Sequence, residues 1–444
     1  MPGLRNNSHF LRMIGIICMF FMISGLVSAI PSETIHANQR LQNPQTPVVV
    51  VIDPGHGGEN NGTTEFGFCE KDMNMTTAKA LYDELSKFEG IKVYLTHWDD
   101  VDLTLKDRAK YAAEKNADFL ISIHYNASES HALFGSEVWI SLFPEYHNYG
   151  YQLGTEFLRE FKDMGLHLRG IKTKPHSKGK DYYGVIRESV TLGIPAIIVE
   201  HCHVDHPHDN GFCDSEEELK AFGVADAHAI AKYFGLKSAS AGLDYSNYEL
   251  ASVTAGQTVK RAMYDEVAPE ECTITVKEAL YEEDRVELIV RARDEQSNLI
   301  DYSYSLDGGN TFSLRYPLPA GDILSGEFPE EFEIEVEIPD GTSPELCLLV
   351  YNPYDQTTES NHLTFSQVFQ KKAEVIPAQE EASFEDATAT LFPSKEANAN
   401  ERDPKEKLLE TILDLAKIVI PVVGVLFLFL LFCYFISHRK NRRK

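Results

Sequence analysis

Between residues 47 and 236 strand-like and helix-like stretches alternate, which predicts an α/β domain with a mixed, largely parallel sheet flanked by helices. From residue 270 to 366 the pattern changes to short alternating runs between turn signals, which predicts an immunoglobulin-like β-sandwich. An uncharged stretch at residues 418–437 is about 20 residues long, enough for a C-terminal transmembrane helix. Residues 237–269 read as a connector and 367–407 as an acidic, flexible linker poor in apolar residues.

The first strand is Val48 to Ile52, an unbroken apolar run of the kind buried on both faces of a parallel sheet. Asp53-Pro54-Gly55 breaks it, and His56 follows among glycines that permit a tight turn. Asp72 is placed to cap a first helix, with Glu70 in the loop before it. Ala78, Leu81, Tyr82, Leu85 and Phe88 recur there at helical spacing. Ile91 to Thr96 reads as a strand. Thr104 and Asp107 resemble a capping box opening a helix through Glu114. Asp118 to His124 and Ser136 to Leu142 read as strands, and Tyr151 to Met164 as a helix closed by Gly165. Pro195 to Glu200 is a short apolar strand, and Ser215 with Glu218 caps a helix that ends at Gly235. Within the connector, some helix is expected around Gln257 to Tyr264.

In the later region Glu331 to Ile338 alternates strictly, as a half-buried antiparallel strand should. Val286 to Ala292 and Leu346 to Tyr351 are similar, and Asp307-Gly308-Gly309-Asn310 and Asp340-Gly341 are turn signals. No polar cluster there looks catalytic, so a spacer, or a module binding an unknown wall or protein partner, is expected.

With 444 residues the chain has room for two or three domains, and 43% hydrophobic content is ordinary for folded protein. A formal charge of −27 argues against nucleic acid as a partner, because phosphate would be repelled. Residues 1–29 have the plan of a signal peptide: Arg5 and Arg12, an apolar run from Met13 to Val27, then Val27-Ser28-Ala29 for cleavage. Residues 438–444 form a basic tail that the positive-inside rule puts in the cytoplasm. Together these ends predict a single-pass cell-membrane protein with its folded part outside the cell, on the wall side. Of seven cysteines, Cys18 falls in the signal and Cys433 in the membrane helix; the odd remainder leaves at least one unpaired within the chain. Cys272 with Cys347 and Cys202 with Cys213 are pairs that could bridge.

His56, His124 and Glu200 all fall at the carboxyl ends of predicted strands, where open α/β sheets hold their ligands. Two histidines and a carboxylate with an open fourth position are a catalytic zinc set. Zinc acidifies a bound water and polarises a carbonyl, and a further carboxylate can move the proton. The bland alternative for each histidine is a turn or core residue.

The motifs Asp53-Pro-Gly-His-Gly-Gly58, Glu70, Ser122-Ile-His-Tyr-Asn-Ala127 and Val199-Glu200, in this order, resemble the zinc-dependent N-acetylmuramoyl-L-alanine amidases of the third amidase class. The resemblance covers about residues 47–236. It implies His56, Glu70 and His124 as zinc ligands and Glu200 as the catalytic carboxylate. The implied substrate is peptidoglycan, cut at the amide between the muramic acid lactyl group and L-Ala of the stem peptide. Arg108 matches a family arginine, and an ion pair with an acidic neighbour is its expected role; Arg187 is a weaker candidate for touching substrate. The sequence departs from the family after Glu200, where a loop carries His201, His203, His206 and His208. A solvated or partly packed loop is expected there, with a second metal site as the alternative. Cys69, beside Glu70, is expected to be a small buried residue rather than a ligand.

Two rivals remain. His56-Gly-Gly-Glu59 also fits the His-x-x-Glu pair of zinc carboxypeptidases, which would make Glu59 a ligand and a wall-peptide C-terminus the substrate. The other rival is an inactive wall-binding protein on the same scaffold.

Overall fold

The computed structural model describes residues 46–251, 254, 257–258 and 262–372, all within one compact unit. The expected signal peptide, transmembrane helix and basic tail, and the linker beyond residue 372, lie outside the described residues. Among the described residues no helix is long and apolar enough to cross a membrane.

The first part is a six-stranded sheet between two layers of helices. Its strands are β1 (Val48–Pro54), β2 (Ile91–Leu95), β3 (Phe119–Asn126), β4 (Ser136–Ile140), β5 (Leu168–Lys172) and β6 (Ala196–His203), in the order β2-β1-β3-β6-β4-β5. The first four in that order are mutually parallel, β4 is antiparallel to β6, and β5 runs with β4. The sheet is thus mixed, as the sequence suggests. Its helices are α1 (Glu70–Leu85), α2 (Leu105–Glu114), α3 (Pro144–Met164), α4 (Gly184–Thr191), α5 (Pro207–Asn210) and α6 (Glu216–Phe234).

Successive strand residues point to opposite faces. Val50, Ile52, Ile121, Ile123, Ile197 and Val199 therefore join one core with α1, α3 and α6. Val51, Leu120 and Ile198 join the other with α2 and α4. Burial on both faces is why these strands read as continuous apolar runs.

Several expectations need correcting. Helix α1 starts at Glu70, so Glu70 is its first residue and not part of a preceding loop. Asp72 lies inside the first turn and caps nothing there: the free N–H groups of Glu70 and Lys71 donate to the carbonyls of Thr63 and Asn61. Phe88 lies beyond the end of α1, though it is buried. Helix α3 starts at Pro144, whose fixed φ suits a first helical turn. Strand β5 and helix α4 went unpredicted; Leu168-Arg-Gly-Ile-Lys172 carries charges that in the fold are buried and paired. The caps at Thr104 and Ser215 and the left-handed Gly165 and Gly235 stops are present.

A small hairpin of β7 (Lys237–Ser238) and β8 (Leu243–Asp244) leads towards the second part. There, β9 (Glu271–Leu280), β10 (Arg285–Arg293) and β13 (Glu331–Glu337) form one sheet. The other contains β11 (Asp301–Ser305), β12 (Tyr316–Pro317), β14 (Glu345–Tyr351), β15 (Thr357–Glu359) and β16 (Leu363–Thr364). The two share a core that includes Val286, Leu288, Ile334, Val336, Leu346 and Leu348, so they form a β-sandwich. Along β13 the glutamates face out while Phe332, Ile334 and Val336 are buried, as the alternation requires. Cys69, Cys202, Cys213, Cys272 and Cys347 are all free thiols.

The sandwich docks on the β5 edge of the first sheet. The Tyr354 hydroxyl donates to the Thr173 carbonyl (3.2 Å) and accepts from its N–H (3.1 Å). Lys162 pairs with Asp322 at 3.3 Å, and Ile323 lies over Gly170, where any Cβ would collide with it.

Candidate active site

Strand pairing assembles the site. His124 on β3 is the direct partner of Glu200 on β6, and Glu200 is also the partner of Glu137 on β4. Partners in register project on the same face, so the three side chains stand in a row. Neither His124 nor Glu200 ends its strand, because pairing continues to Asn126 and His203. His56 sits two residues beyond β1 with φ 65°, a left-handed backbone that few non-glycine residues adopt. Arg108 fixes that turn. Its guanidinium donates to the carbonyls of Pro54 (2.7 Å) and His56 (2.6 Å) and pairs with Asp53 at 2.7 Å, the expected acidic neighbour.

His56, Glu70 and His124 come together. His56 Nε2 lies 3.1 Å and His124 Nδ1 2.9 Å from the same oxygen, Glu70 Oε1. One donor atom from each residue falls within 4.8 Å of the others, so the three could hold a metal ion. Two glycines make room for them. A Cβ at Gly55 would lie 2.2 Å from the His124 ring, and one at Gly62 would lie 2.3 Å from Glu70 Oε2.

The outer hydrogen bonds determine which ring nitrogens carry protons. Asn60 Oδ1 accepts from the Gly62 N–H (3.3 Å), which turns the amide oxygen towards His56 Nδ1 at 2.9 Å. His56 Nδ1 must then be the donor, leaving Nε2 bare. Ser122 Oγ donates to Asp53 Oδ2 (2.9 Å), so at 3.1 Å from His124 Nε2 it accepts. That leaves His124 Nδ1 bare. With both imidazoles neutral, two nitrogen lone pairs and a carboxylate oxygen converge, which suits a cation; a proton can take the cation's place, and the ring then donates to Glu70. Burial disfavours ionisation of Glu70, but hydrogen bonds and charge from His124 and His56 outweigh it and hold the carboxyl far below the usual range.

Glu200 differs. Burial first, and then the Glu70 and Glu137 carboxylates, push its pKa well above the usual range. Its Oε2 is buried with no hydrogen-bond partner among the described residues. Such a carboxyl is poised to carry a proton. Glu137 is the opposite case: burial opposes ionisation, but Lys172 and Arg169 bring its pKa down to about 2. Glu137, Arg169, Lys172, Asn60 and the Ser122–Asp53 link were not singled out from sequence. Only Asp53 and Ser122 had a signal, their places in quoted motifs.

Glu59 is exposed and outside the group of three. Half-buried Cys69 precedes α1 and does not belong to it either. The expected loop is in part strand: His201 and His203 belong to β6, and the histidine segment is packed. His201 lies between the His124 carbonyl (3.0 Å) and Asp226 (3.0 Å), and buried His203 faces the Gly135 carbonyl at 3.1 Å. His206 stacks on Phe134, and His208 pairs with Asp209. None of them joins a metal-binding group among the described residues. Arg187 donates to the carbonyls of Asp181 and Tyr182, a loop-fixing role. Another group of ligating types, Cys347, Glu359 and His362, lies in the sandwich, where Glu345 and Glu359 already occupy both nitrogens of His362.

Residues 50–232 match the family model described as N-acetylmuramoyl-L-alanine amidase. The N-acetylmuramoyl-L-alanine amidase CwlM of Bacillus licheniformis is 27% identical over 197 residues, 44% of this chain and 72% of the relative. The N-acetylmuramoyl-L-alanine amidase LytC of Bacillus subtilis is 30% identical over 190 residues, 43% of this chain but only 35% of the relative. Among solved structures, the catalytic domain of CwlV, an N-acetylmuramoyl-L-alanine amidase from Bacillus (Paenibacillus) polymyxa var. colistinus, is 28% identical. It covers 43% of this chain and 99% of that one, with a TM-score of 0.38. The stretch that matches the N-acetylmuramoyl-L-alanine amidase model, residues 50–232, contains the whole site just described.

Proposed function

We propose that this chain hydrolyses peptidoglycan at the amide between the lactyl group of N-acetylmuramic acid and L-Ala of the stem peptide. His56 Nε2, His124 Nδ1 and Glu70 would hold a zinc ion, and Glu200 would carry the proton. The observation behind this reading is the convergence of two ring nitrogens, from His56 and His124, on one oxygen of Glu70. Nitrogen and oxygen donors of this kind suit zinc. When bound, the ion supplies Lewis acidity to the amide carbonyl and to water.

The chain's own residues do the rest. Asn60 and the Ser122–Asp53 pair keep both imidazoles in the required tautomer and orientation. Glu200, held on a central strand, accepts a proton from the attacking water in its ionised form. It then delivers that proton to the departing amine of L-Ala. Exposed Glu59 disfavours the carboxypeptidase alternative.

The reading extends to location. A signal peptide at residues 1–29 and a membrane helix at 418–437 would tether the enzyme to the cell membrane with its folded part facing the wall. The sandwich would be of immunoglobulin-like type. Protease added to wall-stripped cells should then release the folded part, and full protection would overturn this topology. Digestion of purified peptidoglycan with and without a chelator, with new ends identified by mass spectrometry, tests the activity. New L-Ala amino termini that vanish with chelator are expected. Trimmed peptide C-termini would favour the carboxypeptidase.

A further inference from the structure

We propose that Asp355 of the β-sandwich is a positioning residue for the catalytic centre: through Arg169 it holds Glu137 in place, and Glu137 fixes where the Glu200 carboxyl sits. The catalytic part of this proposal rests on the amidase reading above.

Arg169 on β5 is completely buried, and its partners come from both parts of the molecule. Its Nε donates to Glu137 Oε2 at 3.1 Å. Its Nη2 donates to Asp355 Oδ1 at 2.8 Å, and Nη1 lies 3.6 Å from Asp301 Oδ2. A guanidinium is a rigid planar fork, so fixing one edge fixes the direction of the other. Asp355 is itself fixed. Its φ of 63° is left-handed, its N–H donates to the Asn352 carbonyl (3.0 Å), and Arg315 donates to its Oδ1 at 2.6 Å. The loop is therefore shaped to aim this carboxylate.

At the other end, Glu137 accepts from four side chains: Lys172 (2.6 Å), Trp139 Nε1 (2.9 Å), Arg169 (3.1 Å) and Asn126 (3.3 Å). With its capacity filled it cannot rotate freely. Its strand partner is Glu200, whose Oε2 has no hydrogen-bond partner among the described residues. The fixed negative charge of Glu137 is thus what Glu200 faces on the β4 side. Neutralising Asp355 removes one charge partner from a buried guanidinium, which frees Arg169 to swing off Glu137. Asp355 lies outside residues 50–232, so the family-matching region lacks this support on its own.

The test uses the full-length chain as wild type, Asp355→Asn, Asp355→Glu and Ile323→Ala. Ile323→Ala loosens the same docking surface over Gly170 without touching the ion network. Asp355→Asn should lower kcat on a soluble muropeptide roughly ten- to a hundred-fold with KM and metal content unchanged, the usual scale for a supporting residue. Asp355→Glu should fall between, and Ile323→Ala should match wild type. A second readout needs no turnover. The chain has two tryptophans, exposed Trp98 and Trp139, and the Trp139 indole N–H donates to Glu137. Its NMR resonance should move in Asp355→Asn and stay in Ile323→Ala. A wild-type kcat for Asp355→Asn, an unmoved indole resonance, or an equal loss in Ile323→Ala would overturn the proposal. An inactive wild type would refute the amidase reading instead, and the indole resonance would still decide whether Asp355 reaches Glu137.

Discussion

Glu200 on β6 is the direct strand partner of His124 on β3, so a carboxyl with a raised pKa stands on the same face as a histidine whose Nδ1 faces Glu70. Because a shared hydrogen-bond ladder sets their spacing, the two groups cannot drift apart without breaking the sheet. That rigidity suits a site in which one residue holds a metal and its neighbour moves a proton.

Glu70→Ala should lose the metal, whereas Glu59→Ala should keep it. Glu70 Oε1 is the point on which both histidines converge, and Glu59 is exposed at the turn. Metal analysis of the two purified variants checks this, and the reverse result would favour the carboxypeptidase.

Ser122→Ala should weaken metal binding about 10–100-fold without unfolding the protein, the range found for partners of ligating histidines. The serine is the acceptor for His124 Nε2–H, and without it the proton is no longer held on that nitrogen. Calorimetric titration with zinc would reveal the change. Unaltered affinity would mean that the tautomer is set elsewhere.

The contribution of His203 to stability should fall as pH drops from about 6.5 to about 4. Burial, with help from the Arg169 charge, pushes the His203 pKa from 6.5 down to about 4. Across that window the unfolded chain gains a proton that the folded chain refuses, so acidification favours unfolding. His206 is lowered too, again mainly by burial, and acts in the same direction. The loss from His203 is on the order of 3 kcal/mol across the window. Thermal melts against pH should show a smaller slope in His203→Gln. A slope unchanged in His203→Gln would contradict a buried neutral His203.

Much of this was legible in the sequence, for definite reasons. β1, β3 and β6 are apolar on both faces, so their runs stand out, and the residues at or just beyond the ends of those runs are His56, His124 and Glu200. The start of α1 was misread because backbone carbonyls of Asn61 and Thr63 cap it, which leaves no side-chain signature. β5 was missed because Arg169 and Lys172 look like surface residues. Their burial makes sense only once Glu137 and the sandwich carboxylates are placed beside them. The tautomer-setting contacts of Asn60 and Ser122 are three-dimensional facts, and no spacing rule would have found them.

The division of labour between the triad and Glu200 is tested most directly by Glu200→Gln. Glutamine keeps the shape but cannot accept the proton. The purified variant should contain as much zinc as wild type, melt as a folded protein and still bind peptidoglycan. Its turnover should drop about 10²–10⁴-fold, towards the upper end if Glu200 serves both the water and the leaving amine. Near-normal cleavage by the zinc-loaded Glu200→Gln protein would contradict the assignment and place the base elsewhere.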